Sequence, residues 1–401
     1  MTKKRIMLLG GNHTQLTCTL AAKSEGYYVI SVDYLPNNPA HKFADEYHNV
    51  STIDKEGVLE LARRLGIDGI VSYASDVSAP TAAYVSETLG LPTNPYESVM
   101  IMTHKNLFRK FLRDNGFPMP EGATFSKYED ALEFFRSVKK PVMVKPIDSS
   151  GSKGVNEIFS EYEFKAAWKE AIDYSLSKNV IVERFIQRKG YQIDGDIFVS
   201  NGEIVFWGIC DQHHDDTCSR FTPVGLSYPP TQDMKHQKRA RELISRLLKL
   251  LGMHMGAYNV EYIVGDDDEV YIIEIGPRNG GNMITDAICA STGINLAKYT
   301  VRQAVGDNLE GLYQAEPVKC ASSYIIHSLK DGIFKGISID PEIKKRITDI
   351  RVFNKPGDEV KAFHNASFSV GLCVLTFENT EQMCNIVDNM NKYINVEVAS
   401  L

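Results

Sequence analysis

The sequence predicts a mixed α/β and α+β protein, with an open parallel-sheet domain at its N-terminus and a small β-rich domain at its C-terminus. Three observations carry this. Short β-rich runs alternate with helical ones from Lys4 to about Met100, the pattern of a parallel sheet with helices on its faces. A hairpin of two apolar strands near residue 270 carries an opposed pair of glutamates. Beyond Pro317 the chain turns to short strands and turns. At 401 residues the chain exceeds what one hydrophobic core sustains, so two or three domains are expected.

In order, residues 6–9, 28–32 and 67–72 read as strands, with helices near 15–24 and 55–65 between them. Gly10-Gly11-Asn12 after the first strand and Asp33 at the end of the second resemble a dinucleotide fingerprint only superficially. G-x-G-x-x-G is absent, which argues against a hydride-transferring enzyme. A small ligand at the strand ends stays open, with Thr14, Gln15, Ser75 and Asp76 as residues to face it. Pro92 and Pro95 punctuate a linker, after which Thr103 is placed to cap a helix bearing Lys105, Phe108, Phe111 and Leu112. Asn115-Gly116 stops that helix. PVMVKP reads as a buried strand running into DSSGSKGV, and a further strand at 180–182 leads into ERFIQRKGYQIDGDIFV. Residues 235–251 form an amphipathic helix with Leu243, Ile244, Leu247, Leu248 and Leu251 on one stripe, which is scaffold. The C-terminal part includes KPGDEV at Lys355 and a strand at 371–377. No long repeat or low-complexity tract interrupts this order.

Composition narrows the function. A net charge of −7 without a cluster of Lys and Arg disfavours a nucleic-acid partner and favours a small-molecule substrate. The N-terminal apolar run is too short for a signal segment and breaks at Gly10 and Gly11, and no apolar stretch reaches the length of a membrane span. Seven cysteines without a C-x-x-C pair suit reduced thiols, so the cytoplasm is the expected compartment.

The hairpin carries the chemistry. Alternation puts Val260 and Tyr262 on one face and Glu261 and Ile263 on the other. Pairing Asp266 with Glu269 at the turn sets Glu261 opposite Glu274, with side chains about 5 Å apart. Like charges so opposed are destabilising unless a cation lies between them, and two carboxylates without sulfur suit Mg²⁺ or Mn²⁺. Arg278 follows closely. The alternative is a surface hairpin with solvated glutamates, which the apolar flanks disfavour. Upstream, Lys145 ends an otherwise apolar strand before Ser149, Ser150, Gly151, Ser152, Lys153 and Gly154. Small residues there let backbone N–H groups approach phosphate oxygens, although a plain turn would look similar. A strand-end lysine is a point charge suited to a phosphate.

Together these segments resemble the ATP-grasp superfamily over nearly the whole chain. The resemblance implies a pre-ATP-grasp domain at 1–100, a two-lobed ATP-grasp domain at 101–314 with its lid at about 120–187, and a C-terminal β-rich domain at 315–401. It further implies that Lys105 and Lys145 contact nucleotide phosphates and that Ser150, Gly151, Ser152 and Lys153 belong to a lid loop over them. Glu183, Arg184, Phe185 and Ile186 match the adenine hinge. Gln192 stands where a glutamate usually meets the ribose. Glu261 and Glu274 match the metal-binding acids, and Arg278 matches the arginine that orients phosphate, which with Lys145 makes the implied catalytic pair. Gly276 departs from the asparagine that many members place two residues after the second acid.

The implied activity is that of an ATP- and Mg²⁺-dependent carboxylate-amine ligase. A carboxylate takes the γ-phosphate, and an amine displaces phosphate from the acylphosphate. Two rivals stand beside it: a purine-pathway enzyme, either phosphoribosylglycinamide synthetase or carboxyaminoimidazole ribonucleotide synthase, and an ATP-binding protein that has lost ligase activity. The implied partners are a small carboxylate and a small amine, and a homodimer is left open. CDQHHDDTCSRF, from Cys210 to Phe221, reads as a loop at the substrate end, so His213, His214 and Arg220 are placed either on substrate or in solvent. Its histidines, Asp215, Asp216 and Cys218 lack a recognised metal spacing. Gly280, Gly281 and Asn282 read as backbone donors near substrate or as a helix-entry turn.

Overall fold

The computed structural model describes residues 3–149 and 153–400, without the side chains of Ser219, Arg220 and Phe221. The lid-loop expectations on Ser150, Gly151 and Ser152 and the substrate expectation on Arg220 therefore lie outside the described residues.

The N-terminal strands β1 (Arg5–Leu9), β2 (Tyr28–Val32), β3 (Glu46–His48) and β4 (Gly69–Ser72) form an all-parallel sheet in the order β3-β2-β1-β4. Its strands are apolar on both faces because both are covered. Ile6 and Leu8 pack with Ala297 and Val301, whereas Met7 and Leu9 pack with Val58, Leu61 and Ala62. Asp33 is already engaged: its carboxylate accepts from the Gly11 amide at 3.0 Å and from Asn38 Nδ2 at 2.7 Å. Thr103 does not cap the following helix. It ends a helix that the sequence reading missed, Tyr96–Thr103, and its hydroxyl donates to the Val99 carbonyl at 2.9 Å. The next helix, Lys105–Asp114, starts at once.

A second sheet holds β5 (Gly122–Phe125), β6 (Val142–Pro146), β7 (Asn156–Ile158) and β8 (Val180–Arg184) in the antiparallel order β5-β8-β6-β7. Period-two alternation divides β6. Val142 and Val144 join Phe135, Phe164 and Trp168 beneath two helices, which turns Lys145 to the opposite face.

The remaining strands are β9 (Gln192–Ser200), β10 (Glu203–Asp215), β11 (Ser219–Tyr228), β12 (Gly256–Val264), β13 (Val270–Gly276), β14 (Cys320–His327), β15 (Gly332–Ile339), β16 (Ile347–Val352), β17 (Glu359–Val360), β18 (Ser369–Phe377) and β19 (Ile394–Ala399). Eight of them make one sheet in the order β13-β12-β9-β10-β11-β14-β18-β16, and β17-β15-β19 make a small one. The strands after residue 320 thus continue the sheet of the middle segment through the β11–β14 pairing. The stripe Leu243, Ile244, Leu247 and Leu248 of the helix Met234–Leu250 buries one face against Ile193, Val260, Tyr262, Ile272 and Ile275. On the other face Ile284, Ile288 and Leu296 cover Phe198 and Phe206. At the Gln192 end of β9 that face carries polar side chains instead. Among the described residues no helix is long and apolar enough to cross a membrane.

The hairpin β12–β13 reaches the expected pairing of Glu261 with Glu274 by an unexpected route. Next to the turn Val264 pairs with Val270, so the turn closes with the Gly265 amide on the Glu269 carbonyl at 2.9 Å, one residue away from the anticipated closure. A bulge between Glu261 and Tyr262 then gives β13 one extra residue, Ile273, and restores the register.

Candidate active site

Three carboxylates stand side by side across three strands, because the register pairs Asp194 of β9 with Glu261 of β12 and Glu261 with Glu274 of β13. Asp194 lies in IDGDIF, where two acids occupy alternate positions of an otherwise apolar strand. That signal was legible in the sequence and went unread. Gln192 Nε2 donates to Glu261 Oε2 at 3.1 Å, while Asn259 Nδ2 at 2.7 Å and Gln212 Nε2 at 3.3 Å donate to Asp194. Burial, then the charges of Asp194 and Glu274, push the Glu261 carboxyl well above the usual range. Burial raises Asp194 to about 6 despite its donors. The cation facing this row is Lys105, whose ammonium lies 3.5 Å from Glu274 Oε2 and donates to the Ser149 carbonyl at 3.0 Å.

Arg278 sits beside the row in a fixed pose. Its guanidinium grips Asp76 with Nε and Nη2, the former at 2.8 Å, and donates from Nη1 to Asn259 Oδ1 at 2.8 Å. Asp76 follows β4, so a residue of the N-terminal sheet sets the aim of the arginine. A side chain at position 276 would meet Asp76 Oδ1 at 2.5 Å and the guanidinium carbon of Arg278 at 3.0 Å. The space an asparagine would need is thus filled by the Asp76–Arg278 pair, and glycine is the residue that fits. Asp196, fully buried, accepts from Asn279 Nδ2 at 2.9 Å and from the Gly280 amide at 2.8 Å, which pins the loop after Arg278.

Burial raises the Asp196 carboxyl to about 7, above the unfolded value of roughly 4. The stability that comes from its protonated form is complete below the unfolded pKa and is lost as pH rises towards 7. Asp196→Asn stays neutral. Denaturant titrations at pH 5 and pH 7 should show the wild type losing on the order of 2 kcal/mol more than the variant. Equal losses would contradict the assignment.

A second ion cluster joins the sheet β5-β8-β6-β7 to the helix Lys105–Asp114. Lys145 and Glu183 form a close pair, and Arg109 lies 3.6 Å from the same Glu183 oxygen. Burial pulls Lys145 down to about 8 although Glu183 opposes it. Burial works to raise Glu183, but Arg109 and Lys145 outweigh it and hold the carboxyl below its ordinary value. The sequence reading missed Arg109, four residues after Lys105 on one helix and therefore on the same face. After β8 the chain runs along the hairpin tip, with the Lys189 amide on the Val264 carbonyl and the Asp266 amide on the Gln187 carbonyl. The amides of Arg184 and Phe185 are engaged by the carbonyls of Glu121 and Pro141. Ile186, Ile263, Tyr271 and Ile273 form a small apolar cluster between this segment and the hairpin.

Several anticipated residues stand elsewhere. Lys153 is half-buried and takes part in none of these pairs; its neighbour Gly154 packs against Ala171 and Tyr174. Of Thr14, Gln15, Ser75 and Asp76, only Asp76 reaches the arginine. Thr14 and Gln15 bond to Asn12, and the Ser75 carbonyl accepts from Ser72. The Gly280 amide is taken by Asp196, whereas a side chain on Gly281 would place its Cβ 3.8 Å from Ala74 and Asn282 is half-buried at φ 52°. Residues 210–215 are not loop but the end of β10. His213 is buried between Asp388 at 2.6 Å and Ser227 at 2.7 Å, and His214 lies 3.3 Å from Arg188.

Comparison with known proteins bears on the family and the fold. Residues 102–282 match the ATP-grasp domain family. The chain is 25% identical over 325 residues to the carbamoyl phosphate synthase large chain of Vibrio cholerae, covering 77% of this chain and 30% of that one. It thus spans about a third of the length of such curated relatives. Its fold is similar to the L-amino acid ligase of Bacillus licheniformis, with a TM-score of 0.82 at 19% identity and full coverage of both chains. It is also similar to the biotin carboxylase domain of the Hydrogenobacter thermophilus 2-oxoglutarate carboxylase, solved with MgADP and bicarbonate, with a TM-score of 0.78 at 15% identity over 99% of this chain and 91% of that one. The family match and the fold agree: residues 102–282 of this chain are an ATP-grasp domain.

Proposed function

We propose that the site binds ATP with Mg²⁺ or Mn²⁺ and transfers the γ-phosphate to a small carboxylate, whose acylphosphate is then attacked by an amine to release ADP and phosphate. The observation that carries this reading is the row Asp194, Glu261 and Glu274, like charges held together beside Lys105 and Arg278. Bare, the row is repulsive; a hard cation and phosphates turn both halves to use. The bound cation would neutralise charge on the phosphates, held by Glu261 and Glu274. Lys105, Lys145 and Arg278 position the phosphate oxygens and stabilise the charge that shifts between them. Ile186, Ile263, Tyr271 and Ile273 suit the faces of the base. Glu183, fixed by Lys145 and Arg109, presents a carboxylate acceptor to its amine, and the Ile186 amide is the hinge donor. Gln192, held on Glu261, takes the ribose side.

The test is ADP release with candidate carboxylates and amines varied in turn. Turnover that depends on one acid and amine pair supports the ligase reading. ATP binding without turnover across a broad panel would replace it with the silent nucleotide-binding protein.

Lys145 makes the binding step sensitive to pH. Its ammonium, with a pKa of about 8 before nucleotide arrives, is raised by the phosphates. Affinity should therefore be nearly full at pH 7 and fall about fivefold between pH 8 and pH 9, because binding then takes up a proton. Isothermal titration at pH 7, 8 and 9 checks this. Lys145→Arg, which stays charged, should flatten the dependence, and an unchanged slope in that variant would remove Lys145 from the phosphate contact.

A further inference from the structure

We propose that Asp215, Cys218 and His327 form a second metal site, one for a thiophilic divalent cation, with Zn²⁺ as the best match. Asp215 ends β10, Cys218 lies in the turn to β11, and His327 ends β14. One ligand atom from each lies within 4.8 Å of the others. The distance from Cys218 Sγ to His327 Nε2 is 3.7 Å. A tetrahedral centre with Zn–S near 2.3 Å and Zn–N near 2.0 Å has an S···N edge of about 3.5 Å, so the two atoms already stand close to that spacing.

The histidine is prepared for the role. Its Nδ1 lies 2.7 Å from the Ile325 carbonyl, which can only accept, so Nδ1 carries the proton and Nε2 keeps its lone pair towards Cys218. Phe363, with ring centroids 4.6 Å apart, holds the ring in place. Asp215 is oriented as well. Asn391 Nδ2 donates to Oδ2 at 2.9 Å, and Thr217 donates to Oδ1 from its amide at 2.9 Å and from its hydroxyl at 2.6 Å. Outer donors of this kind fix the ligands of metal centres.

The chemistry differs from that of the carboxylate row. Sulfur and imidazole select a softer ion than Mg²⁺, and a water completes four-coordination. Without a cation, the Cys218 thiol contacts the Asp215 carbonyl at 3.4 Å. On coordination the S–H bond breaks, the proton passes to solvent, and the thiolate lone pair forms the metal bond. The occupied site would tie the end of the β10–β11 hairpin to β14.

The test uses the reduced full chain without nucleotide, titrated with Co²⁺ as a spectroscopic stand-in. A thiolate-to-cobalt charge-transfer band should grow to one equivalent, vanish on addition of Zn²⁺ and survive a large excess of Mg²⁺. Cys218→Ser and His327→Gln should abolish it and Cys289→Ser should retain it, with circular dichroism to confirm that each variant is folded. Asn391→Ala, which leaves all three ligands, should weaken binding by roughly 10- to 100-fold. Absence of the band in the wild type, or its persistence in Cys218→Ser, would overturn the proposal.

Discussion

Glu274→Gln is expected to lower ATP turnover by about a hundred- to a thousandfold, the usual loss for one preorganised electrostatic group, while leaving the metal-free protein as stable as before or more so. The two halves belong together. Glu274 stands opposite Glu261 in the sheet, and its charge is among those that push the Glu261 carboxyl upwards. An amide of the same shape removes that repulsion and also removes one of the two carboxylates proposed to hold the metal. A residue kept for structure would show the reverse, with stability lost and chemistry spared. Melting curves with and without Mg²⁺ and ATP separate the two. The wild type should gain stability from the ligands, and the variant should gain little. A variant that melts lower without ligand yet turns over normally would return the hairpin to the solvated reading.

Asp76→Ala should have the second largest effect, about 3 kcal/mol of stability and about a hundredfold in turnover. Arg278 is 12% exposed and Asp76 21%, so removal of the acid leaves a guanidinium largely shielded from water. Breaking such a pair costs more than the pair itself contributes, because the remaining charge is uncompensated. Turnover falls for a separate reason: the arginine loses two of the contacts that aim it. Asp76→Asn keeps the shape and should retain part of the stability. Denaturation of both variants, together with KM for ATP and kcat, checks the expectation. Unchanged stability in Asp76→Ala would show that the arginine is held by Asn259 and its own loop alone.

Much of the site was legible in the sequence, and the misses have physical causes. Strand alternation was enough to find Glu261, Glu274 and Lys145, because one polar residue on an apolar strand stands out locally. The pairing of the two glutamates was reached with the wrong turn closure, and a bulge, invisible to period-two counting, compensated. Asp76 could not be found that way. Its strand-end position marked it only as a residue to face a ligand; its partner lies 202 residues on, so the role in aiming Arg278 left no local signal. The polar stretch from Cys210 looked like loop because its histidines suggest solvent. His213 is buried only because Asp388 and Ser227 arrive from other elements to satisfy both ring nitrogens. Asp194 and Arg109 are a different kind of miss, since the spacing that reveals each was on the page.

The clamp between Asp76 and Arg278 also has a meaning in time. A ribosome adds roughly 5–20 residues per second, so the 202 residues between the partners take on the order of 10–40 s to make. Through that interval the face packed by Ala297 and Val301 is uncovered, and the strand-end loop waits with an uncommitted acid. The site therefore assembles late in synthesis, and a ribosome stalled between the two residues would hold a first sheet that lacks both the arginine and the cover given by Ala297 and Val301.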